Sequence, residues 1–207
     1  MIIIFSILNL TFILLLRTIF IVIFGLAIYQ GYLSVSKDSG KTNHKISIID
    51  KYGSIVPYWL PLLEGSMNFG MRVISQYPKY ISLLYGKYIL PLLEIYIAYP
   101  ILAFVVFFLL YYLFIRLDRP IRTSSFVRFH ILQAILLFLI NSVLGASYKS
   151  LPIEFRSSLA GLAVTNILFL FTVSTIIYSV IKSIEGQYPE IPIISEAVKM
   201  QISEINQ

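Results

Sequence analysis

Six polar side chains stand within, or at the head of, stretches that are otherwise apolar. They are Glu64, Arg128, His130, Gln133, Asn141 and Asn166. A carboxylate, guanidinium, imidazole or amide surrounded by hydrocarbon is costly unless it finds a hydrogen-bond partner or an opposite charge. The sequence therefore predicts that these groups are interior polar residues of a helix bundle, where they either pack helices together or serve an interaction.

The sequence carries none of the usual catalytic or metal-binding signatures. It has no cysteine, and its two histidines, His44 and His130, are far apart along the chain. A His-Glu-x-x-His zinc pair, a Gly-x-Ser-x-Gly nucleophile elbow and a complete phosphate-binding Gly-x-x-x-x-Gly-Lys-Ser/Thr loop are all absent from the sequence, since Gly-Lys-Thr at 40–42 has Val35 where that loop needs its first glycine. We therefore expect no catalytic residue, no metal, no cofactor and no enzyme activity.

The composition indicates a protein whose solvent is lipid. Of its 207 residues, 58% are hydrophobic and only 13% are charged, whereas soluble domains carry about a quarter charged residues. This balance disfavours a disordered chain, a disulfide scaffold, a coiled coil and a cytosolic enzyme. The net charge of +6 fits the Lys and Arg that membrane proteins gather on one face, so nucleic acid is not an expected partner.

Hydropathy and charge divide the chain into four regions. Residues 1–29, interrupted by Arg17, lack the basic start and the cleavage site of a signal peptide and predict a retained N-terminal hydrophobic anchor helix. The other regions are a basic loop at 30–51, a four-span membrane core at 52–182 and an amphiphilic tail at 183–207. The predicted core spans are residues 52–71, 95–115, 126–148 and 158–181, with a mixed segment at 72–94. The expected fold is an all-α polytopic membrane protein.

The distribution of basic residues predicts the orientation of this core. If the four spans alternate, one side carries ten Lys and Arg and the other side carries five. The ten are Lys37, Lys41, Lys45, Lys51, Arg116, Arg119, Arg122, Arg128, Lys182 and Lys199, and the five are Arg72, Lys79, Lys87, Lys149 and Arg156. The excess predicts that the turn after residue 115 and the C-terminus face the compartment equivalent to the cytosol.

A seven-residue pattern, Tyr-x-Leu-Pro-Leu-Leu-Glu, occurs at 58–64 and again at 88–94. Proline followed three residues later by glutamate suits a helix start, which is the preferred interpretation of Glu94. Glu64 follows a strongly apolar stretch, so it either reaches an interface or faces a polar interior. Pro57 and Pro61 are expected to break the helical hydrogen-bond ladder locally.

The later spans also carry polar groups that need partners. Arg128 near the start of its span could contact lipid phosphate, whereas Gln133 and Asn141 are expected to hydrogen-bond across a helix interface, with Thr165 and Asn166 as candidate partners. After the last span, Gly186 and Pro189 are expected to end the helix. A short amphiphilic helix at 196–205 is then expected to lie on the membrane surface or against a partner.

Five stretches together resemble a known family, the twenty-kilodalton subunit family of the Tic translocon, which imports proteins across the chloroplast inner envelope. The stretches are Tyr-x-Leu-Pro-Leu-Leu-Glu-Gly at 58–65, Gln-Tyr-Pro at 76–78, the Phe-rich span ending Tyr-Tyr-Leu at 111–113, Phe-Val-Arg-Phe-His-x-x-Gln-Ala at 126–134, and Gly-x-Tyr-Pro-Glu-Ile-Pro-x-Ile-Ser-Glu-Ala at 186–197. The resemblance covers residues 50–205. It implies four membrane helices with both ends of the core toward the stroma, in agreement with the charge distribution.

The resemblance implies a subunit that lines or scaffolds the protein-conducting path. Its expected partners are other Tic membrane subunits, precursor polypeptides in transit and membrane lipid, and a homo-oligomer is one arrangement that could enclose a path. Because the chain begins with an apolar run where nuclear-encoded members carry a hydrophilic transit peptide, we expect a plastid-encoded homologue. The alternatives are a small-solute channel or transporter, and a purely structural membrane scaffold.

Overall fold

Every regular element in the described part of the chain is a helix. The computed structural model describes residues 46–116 and 123–205. The predicted anchor at 1–29, most of the loop at 30–51 and most of the turn after residue 115 lie outside these ranges. Within the described residues, the prediction of an all-α fold is confirmed.

Eight helices follow one another through these two ranges. They are α1 (Ile48–Gly53), α2 (residues 56–76), α3 (Lys79–Ala98), α4 (Ile101–Ile115), α5 (Ser125–Lys149), α6 (Ile153–Ser157), α7 (Leu159–Glu185) and α8 (Ile194–Ile205). Three of them, α3, α5 and α7, are long and apolar enough to cross a membrane, judged by length and composition among the described residues. The predicted number of four core spans stays a prediction.

Helix α2 is continuous but irregular. A 3-10 turn (Val56–Tyr58) leads into an α-helical segment (Trp59–Gly65), a wide π-helical turn (Ser66–Gly70), a short α segment (Met71–Val73) and a last 3-10 turn (Ile74–Gln76). The change of winding at Trp59 puts Pro61 in the first turn of the α segment, where a backbone N–H has no intrahelical partner. The two prolines therefore alter the winding without ending the helix.

The region predicted as a mixed segment and one span is instead two helices. The sequence predicts a span at 95–115, but α3 already begins at Lys79 and the helix breaks at Tyr99, whose φ of −127° and ψ of 71° are not helical. Pro100 explains the break, because proline lacks an N–H and disfavours helical geometry in the residue before it.

Helices α3 and α4 together run once along the bundle. Near the start of α3, Tyr85 packs edge-on against Phe169 of α7, with ring centroids 6.4 Å apart. At the end of α4, Ile115 packs in a cluster with Phe126 and Val127 at the start of α5. The kinked pair therefore connects one end of the bundle to the other.

Helix α5 is the centre of the bundle. In its most apolar 18-residue window 61% of the residues are buried, against 28% for α7 and 17% for α3. The Ser124 hydroxyl caps its N-terminus, because it accepts a hydrogen bond from the Val127 N–H at 3.4 Å. Because its buried side chains contact helices on several sides, α5 can bring polar groups from several helices together.

The two ends of the bundle are built differently. At one end, which we call the α1/α8 end, the hydroxyl of Ser183 in α7 donates to the Lys51 carbonyl at 2.8 Å, and Val198 of α8 packs with the start of α5. At the opposite α6 end, the Arg72 guanidinium donates to the Arg156 carbonyl. The C-terminus of α2 therefore lies at the α6 end, and the C-terminus of α7 lies at the α1/α8 end.

The chain after α7 follows part of the prediction. Gly186, with a left-handed φ of 77°, ends α7, as expected for a residue without a Cβ. Helix α8 spans Ile194–Ile205, begins slightly earlier than predicted and packs on α5 of the same chain. Ile193, just before it, has a φ of 68° and is exposed.

Candidate functional site

Three helices meet at the carboxylate of Glu64, which is only 7% exposed. Its Oε1 accepts hydrogen bonds from Asn68 Nδ2 in α2 at 2.8 Å and from Ser142 Oγ in α5 at 2.9 Å. Its Oε2 accepts a hydrogen bond of 2.5 Å from the Tyr96 hydroxyl in α3. Three donors thus compensate the carboxylate for its lost water, as burial of such a group requires.

Asn141, the neighbour of Ser142, ties α5 to two further partners. Its Nδ2 donates to the Pro61 carbonyl of α2 at 3.1 Å, and its Oδ1 accepts from Thr172 Oγ1 of α7 at 2.9 Å. Together these side chains join α2, α3, α5 and α7 in one place. We call them the central polar cluster: Glu64, Asn68, Tyr96, Asn141, Ser142 and Thr172.

The cluster is connected to the α6 end through Asn68. The Asn68 Oδ1 accepts a 2.7 Å hydrogen bond from Lys149 Nζ, and its Nδ2 also lies 3.3 Å from the Asn141 carbonyl oxygen. Lys149 is exposed. A positive charge at the rim of the bundle is therefore linked by one amide to the buried negative charge.

A second set of polar contacts lies nearer the α1/α8 end. The Tyr58 hydroxyl and His130 Nδ1 are 3.0 Å apart, and both side chains are buried. One turn further along α5, Gln133 Nε2 donates to Ser179 Oγ of α7 at 3.1 Å. These pairs hold α2 and α7 against the first half of α5.

The two motif stretches at 126–134 and 186–197 pack on each other. The ring of Tyr188 lies edge-on to Phe126 and Phe129, with centroid distances of 5.5 and 4.9 Å. Burial raises the pKa of the Tyr188 phenol above its usual value, so the hydroxyl stays neutral at physiological pH. The segment after α7 thus covers the start of α5 and the buried His130.

The six predicted residues fall in different places. Glu64 and Asn141 belong to the central polar cluster, and His130 and Gln133 belong to the second set. Arg128 is buried near the start of α5, so it does not lie on the lipid-facing surface. Asn166 is not the partner of Asn141. Its Oδ1 accepts from the Tyr77 hydroxyl at 2.6 Å, because it lies nearer the α6 end than Asn141 does.

Sequence reasoning did not identify several members of the central polar cluster. Asn68, Tyr96 and Thr172 lie on three different helices, and only the packing brings them to Glu64 and Asn141. One signal was available, because Asn68 follows Glu64 by four residues and therefore shares its helix face. No pattern in the sequence marks Tyr96 or Thr172 among the many other Tyr and Thr residues.

Helices α2 and α7 cross closely at Gly65 and Thr172, and this close approach brings Thr172 within hydrogen-bonding distance of Asn141. A Cβ added at Gly65 would lie 2.5 Å from Thr172 Cγ2, so only glycine allows the backbones to approach this closely. Small residues at helix crossings are typical of membrane bundles, where packing and hydrogen bonds replace the hydrophobic effect between helices. Gly65 therefore sets the distance at which Thr172 reaches Asn141.

The central polar cluster is a network of satisfied hydrogen bonds. The Glu64 oxygens are taken by an amide and two hydroxyls, and within residues 46–116 and 123–205 no three His, Cys, Asp or Glu side chains lie together as metal ligands would. A satisfied polar network inside apolar helices fixes their relative positions, because each partner would be costly to leave unpaired.

The fold and this buried network define a polytopic α-helical membrane protein. The chain belongs to the Tic20-like family of the chloroplast import apparatus, because that family's model matches residues 41–198. It is 51% identical over 193 residues to the Tic20 family protein Ycf60 of Gracilaria tenuistipitata var. liui, covering 92% of this chain and 94% of the relative.

More distant relatives place the same family in other organisms. The chain is 32% identical over 155 residues to a Tic20 family protein of a Synechocystis species, covering 74% of this chain and 92% of that protein. It is 26% identical over 165 residues to the chloroplastic protein TIC 20-v of Arabidopsis thaliana, covering 78% and 75% of the two chains. The family resemblance found from the sequence motifs is confirmed.

Proposed function

We propose that this chain is an integral membrane subunit of the apparatus that imports proteins across the chloroplast inner envelope. The observation that carries the proposal is the family match over residues 41–198, which includes nearly all of the described helices. Relatives with chloroplastic in their names support a plastid location.

The four-span core and its orientation are part of the proposal. Helices α2, α5 and α7, with the kinked α3 and α4 as the remaining pass, would cross the membrane four times. The ten-to-five excess of Lys and Arg that the sequence predicts for the side of the C-terminus supports placing the C-terminus toward the stroma, because basic residues stay on the side from which helices insert.

The closed interior supports a role for the outer surface of the bundle. The carboxylate of Glu64 and the amide of Asn141 are satisfied by side chains of the chain itself. A polypeptide would have to break these hydrogen bonds to pass through the centre. The path would therefore run between this chain and other membrane subunits of the Tic apparatus, or a second copy, and the chain would line or scaffold it.

Site-specific photo-crosslinking tests this proposal with a precursor arrested during import. A photoreactive amino acid would replace Phe104 or Phe108 on α4, Val143 on α5 or Ile167 on α7, which are all exposed. The buried Ala134 is the matched control, because a probe there should label only this chain. We expect adducts to the precursor from one face of the bundle.

The pattern of adducts separates the two roles. Precursor adducts from one helix face and not from Ala134 would mean that the chain lines the path. Adducts to neighbouring membrane subunits alone would make it a scaffold. Adducts to neither the precursor nor any subunit of the import apparatus, while lipid adducts form, would overturn the proposed role in import.

A further inference from the structure

We propose that α3 and α4 form a movable arm, hinged at Tyr99 and Pro100 and held against the bundle by the hydrogen bond from Tyr96 to Glu64. The arm is defined as residues 79–115. Its movement would open the bundle sideways and expose the central polar cluster. This property belongs to the chain itself and goes beyond the proposed part in import.

The arm is held more loosely than the other long helices. Only 17% of the most apolar window of α3 is buried, and the buried side chains of the arm are few: Tyr85, Leu93, Tyr96, Ala103 and Ile115. Most of its large apolar side chains face outward, including Phe104 and Phe108. Lipid can solvate these side chains equally well in a closed and an open position, so they do not resist movement.

One hydrogen bond ties the arm to the bundle near the hinge. Between residues 86 and 116, which the structure describes throughout, the bond from Tyr96 to Glu64 is the one side-chain hydrogen bond to another helix. Nearer the start of the arm, the Ser82 hydroxyl donates to the Ile74 carbonyl of α2 at 2.7 Å. Its length of 2.5 Å and its carboxylate acceptor make it a strong contact. Glu64 also accepts from Asn68 and Ser142, so the carboxylate keeps two donors when the arm leaves.

The hinge lies only three residues from this contact. Tyr99 has a non-helical ψ of 71°, and Pro100 has no N–H to continue the helix. The arm also contains two π-helical turns, Tyr85–Ile89 and Tyr111–Ile115, one in each half. Such turns depart from regular α-helical geometry and often occur at functional positions. Helix α3 and helix α4 can therefore each bend at a π turn while they rotate about the hinge.

Opening would give Glu64 a new environment. With Tyr96 withdrawn, one carboxylate oxygen would lose its donor and face the opened side of the bundle. A polar backbone or a basic side chain beside the bundle could then take the place of the Tyr96 hydroxyl. The arm thus converts a closed polar core into a laterally accessible acceptor site.

Distances between spin labels test the arm in the full-length chain, reconstituted in lipid nanodiscs. The sequence has no cysteine, so cysteine pairs can be introduced for labelling without first removing native thiols. One pair, Phe108→Cys with Val143→Cys, reports the distance from the arm to α5. A second pair, Val143→Cys with Ile167→Cys, reports the distance from α5 to α7.

The substitution Tyr96→Phe removes the hydroxyl and keeps the ring. We expect it to increase the population of long distances for the arm pair at least about tenfold, the ratio that corresponds to the loss of one hydrogen bond to a charged acceptor. The α5–α7 pair should keep its distribution. The matched control is Tyr88→Phe, an exposed tyrosine on the same helix, which should change neither pair.

Two results would overturn the proposal. The first is an arm-pair distribution that is the same with Tyr96→Phe as with Tyr88→Phe. The second is a broadening of both label pairs by Tyr96→Phe, which would mean a general loosening of the bundle. The experiment needs no precursor and no other subunit, so its outcome is independent of the proposed role in import.

Discussion

Two glutamates in the same seven-residue pattern occupy opposite environments. Glu64 is buried under three hydrogen-bond donors, whereas Glu94, 30 positions later in an identical context of Leu-Pro-Leu-Leu, is exposed. The difference arises because α2 is packed on several sides and α3 has one side open. At the scale of single residues, the tertiary environment therefore decides whether a glutamate is buried and hydrogen-bonded or exposed.

This pair gives a matched test of the buried carboxylate. We expect Glu64→Ala to lower the free energy of unfolding by about 1.5–3 kcal/mol, the range for hydrogen bonds to charged groups. Glu94→Ala should change it by less than about 0.5 kcal/mol, as for most exposed positions. Reversible unfolding in mixed detergent micelles measures both values. Equal losses for the two variants would contradict a stabilising role of the Glu64 hydrogen bonds.

At the scale of elements, the crossing of α2 and α7 depends on one missing side chain. Gly65 faces Thr172 so closely that any Cβ would displace the threonine or the helix. Gly86 in α3 has no atom within 4 Å of an added Cβ. The same substitution is therefore expected to act in opposite directions at the two sites.

We expect Gly65→Ala to destabilise the protein by about 1–3 kcal/mol, because an extra methyl group overpacks the crossing. Gly86→Ala should be neutral or should stabilise the protein by up to about 1 kcal/mol, because alanine restricts the unfolded chain. Thermal unfolding in detergent compares the two variants with the parent chain. A neutral Gly65→Ala would mean that the two helices do not approach as described.

The turn before α8 contains a residue in an unfavourable conformation. Ile193 has a φ of 68°, which is rare for a β-branched residue. Ile193→Gly should raise the free energy of unfolding by about 1 kcal/mol, because glycine adopts this region without steric cost. Ile193→Ala is the control, since it removes the same exposed side chain but keeps the Cβ. Equal stability of the two variants would mean that the strain is absent in solution.

At the scale of the whole molecule, the bundle has two chemically different ends. Helices α1 and α8 cover the end where α7 finishes and α5 begins, and the short helix α6 closes the other end. If the chain crosses the membrane as proposed, the two ends lie in different compartments.

Single cysteines test this arrangement with a membrane-impermeant thiol reagent. Met200→Cys on α8 and Glu154→Cys on α6 are exposed at opposite ends, so intact membranes of one orientation should allow labelling of one and protect the other. Ser47→Cys before α1 should be labelled together with Met200→Cys on α8, because α1 and α8 lie at the same end of the bundle. Labelling of Met200→Cys and Glu154→Cys from the same side would contradict the four-span orientation.

The sequence alone determined the class of protein and the positions of its strongest helices. In lipid, a long apolar stretch with few charges satisfies its backbone hydrogen bonds by forming a helix. The helices at Ser125–Lys149 and Leu159–Glu185 were therefore predicted to within a few residues. A local signal also sufficed for the end of α7 at Gly186. Five of its motif stretches were enough to indicate the family.

Only the tertiary structure decided how the polar residues pair and where the chain bends. Hydropathy cannot tell that Tyr96 reaches Glu64, that Thr172 rather than Asn166 meets Asn141, or that Tyr99 and Pro100 divide one apolar run. These outcomes depend on which faces of separate helices come together and on how closely Gly65 lets them approach. Periodicity along one helix does not contain that information, because the partner of each buried polar group lies on another helix.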